Sequence, residues 1–135
     1  MIEIKKAGTF DFSAVFENDN HISREMLDKK ITDGEVFIAQ LDGMFLGHLR
    51  YSLFWDEIPF INMLVIDKQV RRRGVGTLLV LEWEKEMLDM GFNKVMTSTL
   101  ECESAQHFYR KLGYRDLGKF MPFENEYELI LGKNL

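Results

Sequence analysis

Arg71, Arg72 and Arg73 stand together in a chain of 135 residues whose net charge is −5. Gly74 and Gly76 follow, one residue apart, at the start of a proline-free stretch running from Val75 to Met90. These residue types in this order are the layout of an anion site; the alternative is a solvated basic loop before an ordinary helix. The first N–H groups of a helix have no internal partners and point outward, and the macrodipole adds about half a positive charge there. Glycines let a phosphate approach the backbone closely. The chemistry expected is the cradling of a polyanion such as pyrophosphate on the amides of Arg73, Gly74, Val75, Gly76 and Thr77, with the arginines countering its charge. Two related motifs are excluded. A P-loop requires Lys-Ser/Thr after its second glycine, and Gly76 is followed by Thr77-Leu78. The dinucleotide fingerprint requires a third glycine where Leu79 stands, in a fold normally built from two βαβαβ halves, for which this chain is short.

The elements that must position this loop follow from periodicity. Residues 2–7 read as a first strand, and two short helices are expected between Phe12 and Lys30. Asp42-Gly43 between two β-rich runs signals a tight hairpin. On its second strand Phe45, Leu49, Tyr51, Leu53 and Trp55 alternate with His48, Arg50 and Ser52, so one face is core and the other meets solvent or a cleft. The apolar run 60–66 reads as a central strand covered on both faces. In the helix from Val75 to Met90, Glu82, Lys85, Glu86 and Asp89 form a polar stripe, leaving Leu78, Leu79, Trp83, Met87 and Leu88 for burial. Residues 93–100 form a strand. Ala105, Phe108, Tyr109 and Leu112 then recur at i, i+3, i+4 and i+7 on a short helix closed by Gly113. Two strands, 114–121 and 126–132, finish a mixed α/β (α+β) domain built on one sheet.

Bulk properties narrow the function. A length of 135 residues fits a single domain, residues 1–135, with one core. No apolar run approaches the roughly 18–20 residues that span a membrane, and MIEIKKAGTF lacks a signal-peptide layout. Cys102 is the only cysteine, which excludes an internal disulfide and a cysteine-based zinc site; a reducing cytoplasm is the expected location. Three scattered histidines give no metal-ligand spacing, so no metal is expected. The acidic balance disfavours nucleic acid and favours a cationic small molecule or peptide.

MLVIDKQVRRRGVGTLL resembles the acetyl-CoA-binding motif of the GNAT superfamily of N-acetyltransferases, whose core Gln/Arg-x-x-Gly-x-Gly/Ala is met by Arg71, Gly74 and Gly76. SAQHFYRKLGY resembles the family's second segment through Ala105, Phe108, Tyr109, Gly113 and Tyr114. The resemblance spans about residues 60–118. It implies a GNAT fold: a central mixed, mostly antiparallel sheet flanked by about four helices. It also implies that the 71–76 amides hold the CoA pyrophosphate. The strand at Met63, Leu64 and Val65 would splay from its neighbour after residue 98, the pantetheine arm would add to its edge, and an N–H near Leu64 would polarise the acetyl carbonyl. Tyr109 takes the position of the family's general acid. Cys102 stands where the family often has a cofactor-contacting asparagine. Acceptor choice would lie in the first two helices and the loops around Asp56 and residues 120–125.

Acetyl transfer to an amine poses two proton problems. An alkyl ammonium has a pKa of roughly 10.4, so supplying the free amine at pH 7 costs around 4–5 kcal/mol without a base. A leaving thiolate with a pKa near 8.5 gains only about 2 kcal/mol on protonation. The base therefore matters more than the acid. Glu57 is the first candidate, with Asp56, Glu101 and Glu103 as alternatives. His48 and His107 read as surface histidines, and Cys102 as a small buried thiol. The expected reaction is direct transfer from acetyl-CoA to a small-molecule or peptide amine. The alternatives are a GNAT domain that binds acyl-CoA without catalysis and a nucleotide- or phosphate-binding protein unrelated to CoA. Any homodimer is expected to form through the last strands.

Overall fold

A computed structural model describes residues 1–123 and 126–135. The acceptor loop expected at 120–125 therefore falls partly outside the described residues, at Glu124 and Asn125. The chain runs β1 (Glu3–Lys6), α1 (Phe12–Glu17), α2 (Arg24–Thr32), β2 (Val36–Leu41), β3 (Met44–Phe54), β4 (Ile58–Ile66), α3 (Val75–Asp89), β5 (Lys94–Leu100), α4 (Ala105–Lys111), β6 (Arg115–Phe120) and β7 (Glu128–Asn134). Seven strands form one sheet in the order β1-β2-β3-β4-β5-β7-β6. All neighbouring pairs are antiparallel except β4 with β5. The expected hairpin is present: Asp42 and Gly43 hold φ of 50° and 80° between β2 and β3, the tight-turn geometry that suits right-twisted strands.

Helices cover both faces of the sheet. On one face Leu79, Val80, Trp83 and Met87 of α3 pack with Phe37, Ala39, Leu49 and Tyr51. On the other, Val15, Leu27 and Ile31 of α1 and α2 pack with Val36 and Ile38. The second face of β3 is thus covered by helices rather than open to solvent, and His48 is fully buried there rather than a surface residue.

Strict alternation also misplaces Phe45. Ala39 pairs with Gly47 and Gln40 with Phe45, so Leu46 is an extra residue in β3. This bulge flips the strand's parity. Phe45 turns to the α1–α2 face, its ring 6.2 Å from that of His48, and Leu46 joins the α3 face. Trp55, expected in the core, lies in the β3–β4 turn and is exposed. On α3, Leu78 and Leu88 are also exposed, while Glu84 is buried. Glu84 accepts hydrogen bonds from Tyr114 Oη and Lys133 Nζ, both at 2.8 Å, which offsets the burial of its charge.

Candidate active site

β4 pairs with β5 only at Phe60↔Met96 and Ile61↔Thr97. Beyond that point the strands part. A second bulge contributes: Arg50 pairs with Met63 and Tyr51 with Ile61, so Asn62 is extra in β4, and a bulge bends the strand that carries it. From Asn62 onward the β5-facing edge of β4 has no strand partner, and Met63, Leu64 and Val65 are half-buried rather than covered on both faces.

A cavity of about 560 Å³ fills the gap. Ile61, Asn62, Met63 and Leu64 of β4 line one wall, and Thr97, Ser98, Thr99 and Leu100 of β5 the other. Ala105, Phe108 and Tyr109 of α4 close one side, with Glu103 from the preceding turn; His21 and Glu128 approach as well. A second cavity of about 320 Å³ is lined by Leu64, Val65, Ile66, Arg71, Gly76 and Phe108. Leu64 and Phe108 line both, so the cleft runs on from Tyr109 to the start of α3.

At that start the backbone suits an anion. Gly74 is the residue before α3, with φ of 81° and no side-chain cap, and the first turn holds no acidic residue. Its left-handed geometry favours glycine. Arg71, Arg72 and Arg73 are all exposed, and Arg71 Nε donates to Ile66 O at 3.3 Å, which folds its side chain along the end of β4. A Cβ on Gly76 would sit 3.4 Å from Phe108 Cζ, so a side chain there would narrow the passage to α4. The N–H groups at residues 73–77, with the arginines around them, fit a pyrophosphate.

Tyr109 is buried at the base of the gap, in edge contact with the ring of Tyr114 at 5.3 Å. Burial pushes its hydroxyl up to about 12, and a hydrogen bond with Thr97 offsets this only in part. Its phenol therefore holds a proton at neutral pH.

Two site residues named from sequence lie elsewhere. Glu57 is exposed in the β3–β4 turn and does not line the cavity. β4 begins at Ile58 still paired with β3, and the gap opens only after Ile61. Glu57 thus precedes the gap by four residues of strand, about 13 Å. Cys102 is exposed, not buried, in the turn after β5, with Sγ 3.9 Å from Glu126 Oε2. It lines a shallow pocket with Glu101, Glu126 and Tyr127 and is not among the residues that line the main cavity, although Leu100 and Glu103 on either side are.

His21, Thr97, Ser98, Thr99 and Glu128 line the cavity but belong to neither sequence motif. Hydroxyls at 97, 98 and 99 inside an otherwise apolar strand were a visible signal. His21 carried none, because what holds it is tertiary. Asp19, with its side chain fully buried, accepts from Arg50 Nε at 2.6 Å and from the His21 N–H at 3.1 Å, and His48 Nε2 lies 3.3 Å away. Burial alone would raise the Asp19 carboxyl. The hydrogen bonds from His48, Arg50 and the His21 amide, with the charge of Arg50, outweigh that and hold it well below the usual carboxylate range. The connection carrying His21 is thereby fastened to β3.

The fold and cleft define an α+β acyltransferase architecture: a sheet parted between its fourth and fifth strands, with a basic loop and helix start at one end of the gap. The acetyltransferase (GNAT) family model matches residues 4–114, and the chain belongs to that family. The probable N-acetyltransferase 14 of Danio rerio is 30% identical over 106 residues, which cover 77% of this chain and 38% of that protein. The chain spans between 38% and 62% of the length of the curated relatives it matches. A GNAT-family acetyltransferase from Bacillus cereus ATCC 10987 shares the fold with a TM-score of 0.83 at 24% identity, over 99% of this chain and 97% of that one. The PaiA N-acetyltransferase of Thermoplasma acidophilum, solved with coenzyme A, superposes with a TM-score of 0.83 at 18% identity, covering 100% and 99% of the two chains. The fold expected from the two motifs is the fold found. Among the described residues no helix is long and apolar enough to cross a membrane.

Proposed function

We propose that this chain moves an acetyl group from acetyl-CoA to a primary amine of a small molecule or peptide by direct transfer. The observation that carries the reading is the continuity of the cleft. Arg71 and Gly76 at the start of α3 are joined through Leu64 and Phe108 to buried Tyr109. When bound, acetyl-CoA supplies a thioester open to attack by an amine. The amides of residues 73–77 and the three arginines hold its diphosphate, and the free edge of β4 at Met63, Leu64 and Val65 holds its extended arm. An N–H near Leu64 polarises the acetyl carbonyl. Tyr109 gives a proton to the departing sulfur. Glu57 has no part in this reading, since it lies outside the cavity. The proton acceptors that line the cavity are His21, Glu103 and Glu128. Two carboxylates at that end favour an acceptor that is itself cationic.

Calorimetric titration of acetyl-CoA into the wild type and an Arg71→Ala/Arg73→Ala double variant tests the cofactor half. Micromolar binding that weakens about tenfold or more in the variant is expected. Thiol release with a panel of polyamines, amino acids and peptides tests the transfer half. Binding with no thiol release from any amine would leave a non-catalytic acyl-CoA-binding module; no binding by folded protein would end the acetyl-CoA reading.

A further inference from the structure

Resting on the acetyl-CoA reading above, we infer that Glu84 is a positioning residue for Tyr109, acting through the hydroxyl of Tyr114. Glu84 is the one charged residue on the buried face of α3, among Val80, Trp83 and Met87. Stability does not explain a carboxylate there. Burying a charged pair costs solvation, and apolar side chains of similar volume often do as well or better. What a carboxylate adds is direction. Its Oε2 accepts from Tyr114 Oη and its Oε1 from Lys133 Nζ, both at 2.8 Å, so each oxygen has its own donor.

Tyr114 passes that constraint to Tyr109. Their ring centroids lie 5.3 Å apart with planes at 66°, the edge-to-face arrangement that aromatic rings favour. The Tyr114 N–H also donates to Tyr109 O at 3.1 Å, across a turn at Gly113 with φ of 96°. α4 is a weak mount by itself. It has seven residues, and Ser104 before it makes no side-chain cap. So short a helix depends on packing for its stability. The ring of Tyr109 therefore takes its angle from Tyr114, and Tyr114 takes its place from Glu84.

The helix that carries Glu84 gives this chain of contacts its use. α3 begins at Val75, beside the loop that fits a diphosphate, and Glu84 lies nine residues on, about 13.5 Å along the axis. One rigid helix thus sets both ends of the cleft. Its first amides meet the diphosphate, and through Tyr114 it aims the hydroxyl that protonates the departing sulfur. A misplacement of about 1 Å between reacting groups can cost as much as about 10²-fold in rate.

The test compares thiol release, acetyl-CoA affinity and melting temperature in wild type, Tyr114→Phe, Glu84→Gln, Tyr109→Phe and the Tyr109→Phe/Tyr114→Phe double variant. Tyr114→Phe keeps the ring and the Glu84–Lys133 pair and removes only the link. Its kcat should fall about tenfold with acetyl-CoA affinity unchanged. Glutamine still accepts from the Tyr114 hydroxyl. Glu84→Gln should therefore keep most of kcat, although losing the charge beside Lys133 lowers its melting temperature. In the Tyr109→Phe background, Tyr114→Phe should have no further effect, because no hydroxyl remains to be aimed. Unchanged kcat in Tyr114→Phe, or an equal loss in both backgrounds, overturns the inference while the acetyl-CoA reading stands. The Cζ carbon resonance of Tyr109 in tyrosine-labelled protein gives a readout that needs no acceptor. It should move in Tyr114→Phe and stay in place in Glu84→Gln; if no amine releases thiol, an unmoved resonance in Tyr114→Phe overturns the inference just as well. If wild type binds no acetyl-CoA, that reading fails and this inference with it.

Discussion

Tyr109 gains its proposed role from where its hydroxyl is held. The ring is fixed by Tyr114 and Phe108, and the oxygen sits beside Thr97 at the point where β4 leaves β5. Tyr109→Phe keeps the ring packing and removes only the proton donor. Turnover measured by thiol release should fall by about 10²-fold or more, with acetyl-CoA affinity and melting temperature little changed. A comparable loss of affinity would point to a packing role instead. Since burial pushes the phenol up to about 12, the wild-type rate should show no falling limb from Tyr109 up to pH 10. The rate should instead rise with the fraction of free amine. Tyr109 was named from the sequence through the resemblance that Ala105, Phe108, Tyr109, Gly113 and Tyr114 carry, since its helical spacing alone reads as core packing. The position of the basic loop, just ahead of α3, was legible from residue type and order. That His21 and Glu128 line the cavity was not legible. Their roles depend on which strand parts from which, and no local pattern encodes that.

The elements whose placement escaped alternation are those with an extra residue. Leu46 and Asn62 each oppose no residue of their own on the neighbouring strand, and a bulge is a property of a strand pair rather than of one strand. The polar set on β3 was visible, but its partner Asp19 lies 29 and 31 residues away from His48 and Arg50 in the chain. That partnership turns a face read as open into a buried clamp. It anchors the α1–α2 connection to β3, so removing the carboxylate should loosen the whole segment. Asp19→Ala leaves Arg50 buried without its partner, and denaturant melts at pH 7 should show a loss of about 3–5 kcal/mol. The sign with pH follows from the lowered carboxyl. The wild type gains this stability above the ordinary aspartate pKa of about 3.9 and loses it as pH falls toward the lower folded value. The gap between wild type and Asp19→Ala should therefore narrow progressively below about pH 4. A gap that stays constant from pH 7 to pH 3 would mean that Asp19 acts through shape rather than charge.

At the scale of the molecule, the sheet is two half-sheets with a weak seam. β1 to β4 form one half and β5, β7 and β6 the other, joined by two paired residue positions. α3 straps them together. Trp83 packs against Tyr51 of β3 with ring centroids 5.7 Å apart, and neighbouring Glu84 holds Tyr114 and Lys133 of the other half. The placement of β7 between β5 and β6 was not readable from the order of elements, because strand order is set by pairing across the sheet. A ligand lying along the parted edges would add to both halves, so its binding should stabilise the seam as well as the loop that holds its diphosphate. At acetyl-CoA a hundredfold above its Kd, linkage adds about 2.7 kcal/mol. For a domain of this size that corresponds to a rise in melting temperature of roughly 10 °C. Hydrogen exchange locates the effect. Protection should increase at residues 62–66 and 98–100 as well as at 71–77, and should change little in β2, which is paired on both sides without the ligand. Protection confined to 71–77 would mean that only the nucleotide end is gripped, and that the parted strands do not form the channel for the acyl-bearing arm.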